Sequence, residues 1–82
     1  MEVFIYRVMQ EYAHETVDMD MCPVTEYERT TADEFLSKKE AIRLAQRIFA
    51  KTSANWVTVS KDKITDKGRI YGKRVYNLYR EK

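Results

Sequence analysis

The chain has one cysteine, one proline, one histidine, one tryptophan and two glycines among 82 residues. A lone thiol makes no internal disulfide and no multi-thiolate zinc cage, which points to a reducing compartment, with the cytoplasm as the expected location. Scarce proline and glycine, with 44% hydrophobic and 34% charged residues, exclude a low-complexity or disordered chain. No apolar run approaches the roughly 20 residues that span a bilayer. The opening MEVFIYRVMQ is broken by Arg7 before it reaches the apolar stretch of a signal peptide. A soluble single domain over residues 1–82 is expected, with one modest core and no room for a deep cleft.

Val3 to Gln10, VFIYRVMQ, is apolar on both alternating sets, as suits a strand with neighbours on both sides. Residues 11–23 read either as a long connection or as the ragged start of a second strand, with Pro23 marking an edge or bulge. Val24 to Thr31 alternates β-formers with charge and reads as an outer strand. Ser37 and Glu40 have the S-x-x-E spacing of a capping box. Behind them, Ala41, Ile42, Leu44, Ala45, Ile48 and Phe49 share one helical arc, so a helix over Ser37 to Lys51 is expected on a sheet. Trp56 to Lys61 alternates with Val57 and Val59 inward, and Asp66-Lys67-Gly68 supplies a hairpin turn. In the last strand, Arg69 to Arg80, the alternation slips at Gly72, where a bulge would re-phase the faces. The fold class expected is α+β, ordered β-β-α-β-β, an antiparallel sheet of about four strands with one helix on one face. Phe4, Ile5, Leu44, Ile48, Phe49, Trp56, Val57 and Val59 are the expected core, and the second sheet face is left to water or a partner.

Residues 1–37 carry nine acids against two bases, and residues 38–82 thirteen bases against four acids. Such a division fits cross-strand neutralisation, an acidic surface for a basic partner, a nucleic-acid surface or self-association. The stretch AHETVDMDMC, residues 13–22, gathers the only histidine and cysteine with three carboxylates. It lacks the glycine and terminal glutamate of an EF-hand loop and any H-x-x-x-H or C-x-x-C spacing. A Cys22–His14 nucleophile pair has no third residue to orient the histidine. No metal, no cofactor and no catalytic residue is therefore assigned. Two candidate surfaces remain. Glu15, Asp18, Asp20, Glu26, Tyr27, Glu28, Asp33 and Glu34 would form an acidic protein-binding rim, able to occupy the basic groove of a nucleic-acid-handling complex. Alternatively Lys67, Arg69, Tyr71, Lys73, Arg74 and Tyr76, bases interleaved with tyrosines, would bind nucleic acid, although the spacing of RNA-recognition strands is not met.

In length, element order and charged, tyrosine-rich composition the chain resembles small accessory proteins of phages and mobile elements, anti-CRISPR inhibitors among them. The resemblance implies a non-enzymatic inhibitor or accessory factor whose partner is another protein. A homodimer is compatible with the uncovered sheet face.

Overall fold

A computed structural model describes residues 3–80. Its elements run β1 (Val3–Val17), β2 (Pro23–Leu36), α1 (Lys38–Lys51), β3 (Trp56–Thr65), β4 (Gly68–Ile70) and β5 (Arg74–Tyr79). All strand pairs are antiparallel, in the order β2-β1-β3-β4, with β5 also paired to β3. β1 occupies one edge of β3, so β4 and β5 share the other, β4 against Lys63–Thr65 and β5 against Trp56–Ser60. The expected α+β architecture is thus present.

The interruption between β4 and β5 falls at Gly72. A Cβ there would stand 1.7 Å from the Lys61 carbonyl oxygen, so only glycine lets the chain cross so close to β3. The bulge expected at Gly72 lies instead at Val75, where Tyr76 pairs with Val59 but Arg74 with Ser60; at Gly72 the strand is broken. Gly68, at φ 125°, closes the β3–β4 hairpin.

The helix begins as its sequence indicates. The Ser37 side chain accepts from the Glu40 N–H at 3.2 Å, and the Glu40 carboxylate accepts from the Ser37 N–H at 3.4 Å. At the other end Arg80 donates to the Thr52 carbonyl at 3.2 Å and to the Phe49 carbonyl, satisfying acceptors that a helix leaves unpaired. Ala41 and Ala45 are fully buried. Side chains this small, one turn apart, let the helix approach Val8, Val57 and Val59, which form the core with Ala54. Tyr6, Tyr12, Leu36, Leu44, Ile48, Phe49 and Tyr76 pack around this centre.

Two expected core residues lie elsewhere. Phe4 is 51% exposed. It stands in the cross-strand row Phe4–Lys63–Ile70, with the Lys61 ammonium 4.3 Å from its ring. A 14-residue helix is about 21 Å long, whereas the 15 residues of β1 extend roughly 50 Å. The helix therefore covers only the middle of the strand, and Phe4 lies beyond it. Trp56 has the opposite strand parity from Val57 and Val59, so it is half-buried on the face away from the helix. No helix among the described residues is long and apolar enough to cross a membrane.

Candidate functional site

Residues 11–23 resolve into strand and turn rather than a long connection. β1 pairs with β3 only as far as Glu11↔Trp56, yet its pairing with β2 continues through Tyr12↔Glu28, His14↔Glu26 and Glu15↔Thr25 to Val17↔Pro23. Beyond Tyr12, which still packs on the core, the two strands form a ribbon with no third strand beside it among the described residues, in a molecule 54 Å along its longest axis. Pro23 is the first residue of an edge strand, where its missing N–H costs no ladder bond.

The ribbon's turn is organised by Asp18. Its Oδ1 accepts from the backbone N–H of Asp20 and of Cys22, both at 2.9 Å, while Met21 takes φ 64°. Aspartate favours such turns because its short side chain substitutes for backbone acceptors. Cys22 is exposed, and His14 stands three register steps down the ribbon, 3.3 Å from a Glu28 oxygen. Among the described residues no group of three or more metal-ligating side chains comes together.

Six of the eight acidic-rim residues, Glu15, Asp18, Asp20, Glu26, Tyr27 and Glu28, lie on this ribbon and are exposed. With them stand exposed apolar groups that the bulk of the fold does not use: Val17, Met19, Met21 and Tyr27, the last 64% exposed. The other two lie at the ribbon's base. Asp33 lines a groove of about 250 Å³ with Leu36, Glu40, Arg43, Leu44 and Arg47. Glu34 is committed to an ion pair with Arg69 at 2.8 Å.

The basic candidates divide over the molecule. Lys67 is in the β3–β4 turn, and Tyr71 and Lys73 are exposed in the break before β5. Tyr76 shares a cross-strand row with Val59 under the helix, and its hydroxyl accepts from Gln46 at 3.2 Å. It is a packing residue on the opposite face from Arg74, which pairs with Ser60. The six therefore do not form a single surface.

The face away from the helix holds an arrangement the sequence does not announce. Thr58, Ser60 and Asp62 are buried there. Asp62 accepts from Arg7 Nε at 2.9 Å, from Arg69 Nη2 at 2.8 Å and from the Gly72 N–H at 2.9 Å. Burial alone would raise its carboxyl pKa, but the hydrogen bonds from Arg7, the Gly72 N–H and Arg69, with the charge of Arg7, hold it below the usual carboxylate value. Arg69 is shifted upward, chiefly by its bond to Asp62. Arg7 and Arg69 both lie over the Tyr71 ring, at 5.0 and 4.8 Å. A β2 irregularity delivers Glu34 and Phe35 to this cluster. Tyr6 pairs with Leu36 but Val8 with Asp33, so two β2 residues oppose one on β1, and Phe35 takes φ 63°, as bulges that re-aim side chains do.

Farther along β3 the Trp56 ring is approached by two guanidiniums, Arg29 at 5.0 Å and Arg74 at 4.7 Å. Tyr79 meets it edge-on at 6.5 Å. In sequence Arg7 and Arg29 stand apart from Arg69, Arg74, Trp56 and Tyr79, Arg29 in the acidic half and Arg7 in an apolar strand. The fold defines a small α+β module, a curled antiparallel sheet with one helix. No family model, curated protein or solved structure matches the chain.

Proposed function

We propose that the protein is a non-enzymatic binding module that works by presenting the β1–β2 ribbon to another protein. The carrying observation is that this ribbon projects past the sheet with its carboxylates and its apolar groups exposed together. A two-stranded ribbon is only marginally stable in water on its own, so its order is best used where a partner covers it. Val17, Met19, Met21 and Tyr27 supply apolar anchors, and Glu15, Asp20, Glu26 and Glu28 a negative rim that steers toward a basic surface. Asp18 shapes the turn that presents them. A basic groove of a nucleic-acid-handling complex is a partner of the right chemistry, and an inhibitor or accessory role in the cytoplasm follows from occupying it.

The test is affinity capture with two ribbon variants. A specific partner held by the wild type should be lost with Glu26→Lys/Glu28→Lys and weakened with Met19→Ser/Met21→Ser, while circular dichroism stays unchanged. Equal recovery by all three chains would remove the ribbon from the contact.

A further inference from the structure

The sheet face opposite the helix carries a second surface, independent of the ribbon's partner. Cross-strand register places Arg29, Glu11, Trp56 and Tyr79 in one row, then Thr31, Met9, Thr58 and Asn77, then Arg7, Ser60 and Arg74, then Ile5 and Asp62. No helix covers these rows. The exposed aromatics at its two ends are Tyr79, 62% exposed, and Tyr71 with Phe35, 66% and 63% exposed. The Trp56 and Asp62 rows stand six residue steps apart along β3, roughly 20 Å.

The arginines on this face have two different states. Arg7 and Arg69 are neutralised by Asp62 and Glu34 and serve to fix Tyr71. Arg29 and Arg74 have no carboxylate partner among the described residues; their guanidiniums rest against the Trp56 indole from opposite sides of β3. A guanidinium that rests against an aromatic ring and has no carboxylate partner has N–H donors to offer a phosphate, to which arginine binds bidentately. Of the carboxylates nearest Arg29, Glu11 stands directly opposite it on this face, and Glu26 and Glu28 lie on the other. Glu26 and Glu28 pair with His14 and Tyr12, whose even parity on β1 puts them on the helix side of the ribbon, while Glu11 accepts from Asn55 Nδ2 at 3.4 Å.

We propose that this face binds single-stranded nucleic acid, laid along β3. Tyr71 and Tyr79 supply stacking platforms for bases, and Arg29 and Arg74 hold phosphates between them. Stacking on exposed aromatics beside cationic groups is the general means of holding single strands without reading their sequence. An acidic protein segment would satisfy the two cations but would leave the aromatic platforms unused.

Trp56 is the only tryptophan in the chain, so its fluorescence reports from inside the proposed site. The full-length protein is titrated with a 20-nucleotide oligothymidylate and with its oligouridylate counterpart at low salt. Trp56 emission should change saturably with at least one of the two. Two phosphate contacts give a slope of roughly −1.4 in log affinity against log salt concentration. Arg29→Gln/Arg74→Gln should flatten that slope toward zero, and Tyr71→Ala should weaken binding by roughly tenfold. Lys38→Gln/Lys39→Gln, at the start of the helix, should leave both unchanged. Urea midpoints of all variants check that the fold is retained. No spectral change with either oligonucleotide, equal competition by polyglutamate of matched charge, or an unaltered slope in the double arginine variant would each overturn the proposal. None of these outcomes bears on the ribbon.

Discussion

Replacing Asp62 with alanine should be the most damaging single polar substitution in the sheet. Its carboxylate has no solvent exposure and accepts from Arg7, Arg69 and the Gly72 N–H. Removing one partner of a buried ion pair costs about 3–5 kcal/mol, because the remaining charge is left uncompensated. Arg7 and Arg69 keep 14% and 20% side-chain exposure, and Arg69 retains Glu34. Both can therefore recover some hydration, which places the expected loss near the lower end, about 3 kcal/mol. A domain of this length holds roughly 4–12 kcal/mol in total, so the variant should unfold at a markedly lower urea concentration. Urea denaturation followed by circular dichroism at pH 7 measures this directly. The difference must also shrink in acid. Asp62 has a folded-state pKa below its unfolded value, so its contribution is full above about pH 4 and is lost as pH falls through the lower folded value. A loss under about 1 kcal/mol at pH 7, or one that persists undiminished at pH 2, would refute the buried network.

Four further outcomes follow from the packing. Gly72→Ala brings a Cβ into the Lys61 carbonyl and should cost more than the roughly 1–3 kcal/mol of ordinary overpacking, read as a lowered urea midpoint with local loss of β4 and β5 amide protection. Ser37→Ala removes one half of the capping box and should cost about 1 kcal/mol in the same assay, whereas Ser53→Ala, on an exposed loop, should change little. Val59→Ala, at a fully buried site, should cost about 2 kcal/mol. Ile48→Ala should cost less than its apolar character suggests, because Ile48 is only half-buried.

The helix and β3 were legible because their residues carry the signal locally. Ser37 and Glu40 define a helix start by spacing alone, the arc from Ala41 to Phe49 defines its buried side, and Val57 and Val59 alternate. Gly72 was legible for the same reason, as a break in a period-two pattern. The ribbon was not. Residues 14–17 are exposed and pair only with β2, so no core imposes an apolar alternation on them, and strand and loop look alike. Asp62 was hidden for another reason: between Lys61 and Lys63 it reads as a solvated charge, and its partner Arg7 lies 55 residues away. The bulge at Glu34 and Phe35 has no glycine to mark it. Tyr76 stands three residues before Tyr79, so alternation puts the two on opposite faces, Tyr76 with Val59 under the helix and Tyr79 with Trp56 away from it. Charge asymmetry along the chain concealed Arg7 and Arg29, which cross from the acidic half to the arginine face, and it suggested a basic surface that the fold divides.

Hydrogen exchange, with and without a captured partner, tests the ribbon most directly. In the free protein the amides of residues 14–17 and 23–26 should exchange well before those of Val57 and Val59, since this end of the ribbon is exposed. In the complex these same amides should become strongly protected, with little change along α1. Protection confined to the helix or to the arginine face, with the ribbon still exchanging freely, would contradict the assignment of the ribbon as the contact surface.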